Sequence, residues 1–367
     1  MEYNDETNTS VFKNYDKPNE QLIHTTENAS SIEMLNYNYA MQHFVYILYL
    51  GALSVIGVLG NTIVILVYMF QRKPSTHKTI TVSLAVCDVL VCGTVIPFDI
   101  LEKVYHFSLL TVVTCKLYIT LSYCLVFLSA FIIIVLSIDR HMRVCYPFKK
   151  QLSSKQASIL IFVSFIISMF IVSPNALIWN SREFVLANNL TGHVCVTETS
   201  ESSSDFPAIY NGLLLVLGGF IVTYVIIVYT CIWRSLIRHI RYVKKFKSGG
   251  KRNSDFSLET KPKEEEDHIA SCRITTVAFA IVIVLILSYV PSSTMKLLDT
   301  RTEQDTQDKD SVNQQILHIL ARSSVFLNHI ANPFIYTFMD PTFRCDCKNF
   351  LINLFCSKQE INSENNN

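Results

Sequence analysis

Seven stretches of this chain stay apolar for about the length that a helix needs to cross a bilayer: roughly Phe44–Phe70, Thr79–Leu101, Thr111–Ile138, Gln156–Asn180, Phe206–Trp233, Ile274–Met295 and Ile316–Met339. About 20 such residues cover the ~30 Å hydrocarbon core, where a lipid-exposed backbone survives only as a helix or a closed barrel. Charged residues make up 17% of the chain, against about 25% in soluble domains, and mean hydropathy is +0.31. An ordinary soluble enzyme and a disordered, collagen-like or prion-like chain are excluded on these grounds. The expected fold class is an all-α membrane protein: a seven-transmembrane helix bundle followed by a short amphipathic eighth helix.

Orientation comes from the loops, because Lys and Arg stay on the cytoplasmic side. Segments 71–78, 140–155, 234–273 and 340–367 hold 22 of the 31 basic residues, so the amino terminus is expected outside and the carboxyl terminus inside. Asn8, Asn28 and Asn189 open glycosylation sequons, and all three fall on the outer side. Three regions follow: an extracellular glycosylated tail over 1–43, the bundle over 44–339, and a cytoplasmic tail over 340–367 with an amphipathic helix at 341–356. The tail over 1–43 is polar and acidic and is expected to be disordered, and the first span is expected to act as the export signal. Residues 234–273 read as a flexible charged loop between two long helices.

Eleven cysteines sort by depth, since only outer ones meet an oxidising compartment. Cys115 opens the third span and Cys195 lies in the second outer loop, and these two are expected to be bridged. Cys345, Cys347 and Cys356 follow the last span, where S-palmitoylation and free cytosolic thiols are both open readings.

Polar and helix-breaking residues inside the spans are costly and form an ordered set: Gly60-Asn61, Leu84-Ala85-Val86-Cys87-Asp88, Cys115 and then Asp139-Arg140-His141, Cys195, Tyr229, Pro291, and Asn332-Pro333-Phe334-Ile335-Tyr336. On these motifs the chain resembles the rhodopsin-like (class A) G protein-coupled receptors over about residues 44–356, and it looks like their peptide-receptor branch at Pro97-Phe98. Departures are Ser164 near a usual Trp, Ile221 for a usual Pro, and Ser288-Tyr289-Val290-Pro291 with Leu285 in the sixth span. These put the role of Tyr289 as a switch in question.

The resemblance implies roles. Asp139 would hold Arg140 until a heterotrimeric G protein competes for it, with Phe148 entering a pocket on that partner. Pro291 and Pro333 would bend the sixth and seventh helices, with Asn332 available to the polar groups freed near Pro333, and Tyr229 and Tyr336 would meet near Arg140 in the active state. Asp88 would bind an allosteric sodium ion with Asn61, Ser129, Asn328 and Asn332; a protonated Asp88 bonded to its neighbours is the alternative. Arrestin is a second implied partner, membrane lipid surrounds the bundle, and neither a nucleic acid nor an obligate cofactor is expected.

Ser122 and Phe326 stand where amine receptors carry an Asp and opsins a Lys, so neither chemistry is available. The outer half is lined instead by Asp99, Glu102, Tyr118, Ser122, Tyr123, Ser292, Lys296, His318 and Arg322, a mixed polar and aromatic set suited to a peptide. The expected function is a neuropeptide receptor of the plasma membrane. A lipid or small organic acid at Arg322 and Lys296 is the alternative, and a seven-helix transporter is a further one. No nucleophile constellation, metal cluster or phosphate loop supports an enzyme.

Overall fold

The computed structural model describes residues 32–109, 111–185, 191–197, 206–249, 275–294 and 312–364. Six helical spans among them have the length and apolar composition to cross a bilayer: Phe44–Gln71, Thr76–Val104, Val112–Cys145, Ser154–Ile178, Phe206–Arg238 and Thr275–Thr294. The seventh is the 28-residue helix Val312–Met339, which is more polar because it carries Asn328, His329 and Asn332 into the bundle interior. The elements are α1 (Ile32–Gln42), α2 (Phe44–Gln71), α3 (Thr76–Leu90), a π-helical turn (Val91–Val95), α4 (Ile96–Val104), α5 (Val112–Cys145), α6 (Ser154–Val172), α7 (Asn175–Ile178), β1 (Trp179–Val185), β2 (Thr191–Thr197), α8 (Phe206–Gly249), α9 (Thr275–Thr294), α10 (Val312–Met339) and α11 (Pro341–Glu364).

The helix α6 shows what the solvent is. Its Ser168 is 0% exposed while Phe162 and Phe170 are 64% and 81% exposed, the reverse of a helix on a water-soluble protein. Ser164 and Ser168 settle their hydroxyls on the carbonyls of Leu160 and Ser164, one turn back, at 2.8 and 2.9 Å. Large apolar side chains on the other spans, such as Val45, Phe70 and Phe220, also face outward.

Sequence expectations and structure differ in four places. The second span is broken: Pro97 cannot supply the amide that would bond the carbonyl of Gly93, and the helix passes through a π turn at Val91–Val95 before continuing as α4. The fifth helix does not stop with its apolar window near Trp233; α8 continues to Gly249, because Ile237, Ile240 and Val243 sit among good helix formers with no break before Gly249-Gly250. Its 44 residues make a rod of about 66 Å, so Lys244, Lys245 and Lys247 ride on a helix. The tail read as disordered includes the helix α1, and the helix expected over 341–356 runs on to Glu364.

At one end of the bundle the antiparallel hairpin β1–β2 pairs Ser181 with Cys195, and Cys195 is bridged to Cys115 at the start of α5. This is the expected disulfide, closing a sequence separation of 80 residues. Asn36 of α1 is pinned to the same end, donating to Ser108 Oγ and accepting from the Phe107 amide, both at 2.9 Å. Tyr39 stacks on His106 with ring centroids 4.0 Å apart. We call this the disulfide end and the opposite one the Arg140 end.

Two glycines set how closely the helices approach. A Cβ at Gly60 would lie 2.9 Å from Cγ of Pro333, and one at Gly57 would lie 2.3 Å from Sγ of Cys92. Gly60→Ala should therefore lower the thermal unfolding midpoint of the purified protein, by an overpacking cost of about 1–3 kcal/mol. Gly51, whose Cβ would meet nothing within 4 Å, is the control: Gly51→Ala should raise the midpoint, as helix propensity alone requires at up to ~1 kcal/mol.

Candidate functional site

Polar chemistry collects at three levels. At the disulfide end, Asp99 accepts from the Tyr46 hydroxyl at 3.0 Å and the Tyr118 hydroxyl at 3.2 Å, and Tyr118 stacks on Phe98 at 4.5 Å. Among the described residues Asp99 has no ion pair within 4 Å. Glu102, by contrast, is matched by Lys103 Nζ at 2.9 Å and His106 Nδ1 at 2.7 Å. Ser122 turns its hydroxyl to the Tyr118 carbonyl of its own helix, 2.7 Å away, Ser292 is buried, and Tyr123 packs with the apolar cluster around Phe127, Val172 and Ile221. Lys296, like the sequons Asn8, Asn28 and Asn189, lies outside the described residues, as do the side chains of His318, Arg322 and Cys356. The sequence reading missed Tyr46, because nothing on its own span marks it as the partner of Asp99, 53 positions away.

Midway, Pro333 leaves the His329 carbonyl without its helical donor, and Asn61 answers it: its side-chain amide donates to that carbonyl at 2.8 Å and to the Gly57 carbonyl at 2.9 Å. Asn332, expected both at this break and beside Asp88, donates to Asp88 Oδ2 at 2.6 Å. The other carboxylate oxygen, Oδ1, lies 2.8 Å from Nδ1 of His329, a residue that the sequence reading overlooked because its place on the helix was read only for its backbone. Asn328 donates to Ser129 Oγ at 3.4 Å rather than to Asp88.

This arrangement does not fit the expected sodium ion. Both oxygens of Asp88 are engaged by side chains, and one neighbour is an imidazole nitrogen where a hard cation takes oxygen. Each of these side chains is 2% exposed or less. The expected set of Asn61, Ser129, Asn328 and Asn332 is thus gathered in one place, but with His329 added and both oxygens of Asp88 taken by His329 and Asn332.

The sixth span is tied in at the same depth. Tyr289 donates its hydroxyl to the Val126 carbonyl of α5 at 3.2 Å, and Ser324 of α10 donates to the Ser288 carbonyl at 2.7 Å. Tyr289 therefore links α9 to α5 by a hydrogen bond, two residues before Pro291.

At the Arg140 end, Arg140 is ion-paired with Asp139, and both are buried. Arg143 adds a second cation to Asp139 at 3.0 Å. Tyr229 is buried beside Phe279 of α9, with ring centroids 5.9 Å apart. Tyr336 packs between Tyr68 at 6.1 Å and Phe343 at 5.9 Å, on the side of α2 and α11. Phe148, on the turn after α5, is fully exposed. Arg72 clamps α11 to the end of α2 through Asp346 at 2.8 Å and Asp340 at 3.2 Å. Cys345 is exposed, while Cys347 is half-buried with its thiol pKa pushed up by burial and then by neighbouring Asp346.

Removing the Asn61 amide should strand the His329 carbonyl in a dry interior, a loss of about 1–3 kcal/mol. Asn61→Ala should lower the unfolding midpoint of the purified protein clearly more than Ser168→Ala, which removes a buried hydroxyl donor to the Ser164 carbonyl one turn back in the unbroken helix α6.

Comparison with known proteins agrees with this layout. The family described as "7 transmembrane receptor (rhodopsin family)" matches residues 60–336. The chain is 25% identical over 326 residues to neuropeptide Y receptor type 2 of Homo sapiens, covering 86% of this chain and 77% of that receptor. It is 27% identical over 367 aligned positions to bombesin receptor subtype-3 of Ovis aries, covering 96% and 82%. Its identity to C5a anaphylatoxin chemotactic receptor 1 of Danio rerio is 22% over 345 residues, covering 92% and 87%. The match takes in the Asn61 and Asp88 network, the Asp139–Arg140 pair and the Pro333 bend, and the family is one of receptors rather than enzymes. This multi-pass membrane protein belongs to the rhodopsin family of G protein-coupled receptors.

Proposed function

We propose that this chain is a neuropeptide receptor of the plasma membrane, with its disulfide end and amino terminus outside the cell and its Arg140 end and carboxyl terminus in the cytoplasm. The peptide would bind at the disulfide end, against Asp99, Tyr118 and Tyr123, with Glu102, Ser122, Ser292, Lys296, His318 and Arg322 around it. The observation that carries this reading is Asp99: a carboxylate held by two phenols, beside a stacked aromatic pair and without an ion pair among the described residues, is a ready acceptor for a basic ligand group. That chemistry favours a basic peptide over a lipid acid or small organic acid. A peptide ligand is also supported by the names of relatives, receptors for neuropeptide Y, bombesin and the anaphylatoxin C5a.

Binding would loosen the contacts of Tyr289 and Ser288 that tie α9 to its neighbours, and α9 would hinge at Pro291 while α10 bends at Pro333. Arg140 would leave Asp139 for the G protein, Phe148 would enter an apolar pocket on that partner, and Tyr229 and Tyr336 would close on the space vacated. Arrestin would use the same opened end. Of the three tail cysteines proposed for palmitoylation, Cys345 is favoured over Cys347 by its exposure, with Cys356 following on the same helix. The sequons at Asn8, Asn28 and Asn189 would carry glycans.

A library of basic peptides screened on cells expressing the chain should yield an agonist. Asp99→Asn should then weaken its potency about 10- to 150-fold, the worth of a charge-assisted hydrogen bond of ~1.5–3 kcal/mol, at unchanged surface expression. Potency unaffected by the change would reject Asp99 as the contact. Arg140→Ala should keep agonist binding and abolish nucleotide exchange on the G protein in membranes; full exchange would contradict the role given to Arg140.

A further inference from the structure

The polar middle of the bundle departs from the cation site that its residue set would otherwise form. His329 Nδ1 sits on one oxygen of Asp88 and Asn332 on the other, at 2.8 and 2.6 Å. Asn328 and Asn61 spend their side-chain NH2 groups elsewhere, on Ser129 Oγ and the His329 carbonyl, and among the described residues neither amide oxygen has a hydrogen-bond partner. His329 and Asp88 are both wholly buried. A cation entering here would have to displace the imidazole from Asp88, its one side-chain partner: among the described residues the other ring nitrogen, Nε2, has no hydrogen-bond partner.

We propose that His329 replaces the cation in this chain, so that the bridge between α3 and α10 is an imidazole–carboxylate contact and the protein does not respond to sodium. His329 is a positioning residue: it acts through Asp88, holding the carboxylate against α10 as an ion would hold it by shared coordination. Shortening the side chain vacates the space beside Oδ1 and leaves a hydroxyl oxygen there, which converts the network into a set of oxygen donors around a carboxylate.

The test uses sodium alone, without agonist or G protein, so its outcome and that of the receptor reading are separable. Thermal unfolding of the purified full chain is followed in sodium chloride and in choline chloride at matched ionic strength. The wild-type midpoints should coincide. His329→Ser should gain a midpoint that rises in sodium, and adding Asp88→Asn should abolish the rise; His329→Asn, closer in size and also bearing an oxygen, gives the same comparison if the serine variant does not fold. A merely structural role for His329 would lower stability equally in both salts. A wild-type midpoint raised by sodium and made indifferent by Asp88→Asn would overturn the proposal, and so would a folded His329 variant with no sodium response.

Discussion

Inside a bilayer a backbone carbonyl that loses its helical donor cannot turn to water, and the rest of this structure is arranged around one such carbonyl. Pro333 takes the donor from His329, and the amide of Asn61 supplies the replacement from another helix. That bond requires α2 and α10 to approach closely, which Gly60 permits by leaving room for the Pro333 ring. With the break served by Asn61, Asn332 and the His329 side chain are both free to engage Asp88. One missing amide thus determines the spacing of three helices and the partners of the buried carboxylate.

The two ends are built differently around this middle. The disulfide end is braced by the Cys115–Cys195 bridge, the hairpin and the docked α1, a rigid frame around the half-buried Asp99. The Arg140 end is held by side-chain contacts that can exchange: Asp139 with Arg140, Tyr336 with Tyr68 and Phe343, and the aromatic contacts of Tyr229 and Trp233 with Phe279. Between them, Tyr289 and Ser288 join α9 to α5 and α10 by single hydrogen bonds. A frame at one end and exchangeable contacts at the other suit a protein that converts occupancy at one face into a change of shape at the opposite face.

Much of this was legible in the sequence because the bilayer makes length and polarity unambiguous. The spans were visible as apolar windows, the cysteine pair as the two thiols at one end, and Asp88, Arg140 and Pro333 as residues too costly to be filler. What stayed hidden depended on partners across helices. Nothing local marks His329 as the neighbour of Asp88, 241 positions away, or Tyr46 as the neighbour of Asp99. The π turn at Val91–Val95 follows from Pro97, yet a proline alone does not say whether a helix kinks, stops or changes register. The continuation of α8 to Gly249 was obscured because its charges read as a loop, although helix propensity there is high.

The central claim is that the Arg140 end is closed by exchangeable contacts and opens when a G protein binds. Its most direct test is the distance between spin labels at Cys145 of α5 and at Thr276→Cys of α9, in a background without other reactive cysteines, with and without nucleotide-free G protein. The distance should lengthen as α9 swings away from α5, and should not lengthen in Arg140→Ala. A distance that stays the same while the G protein is bound would contradict it.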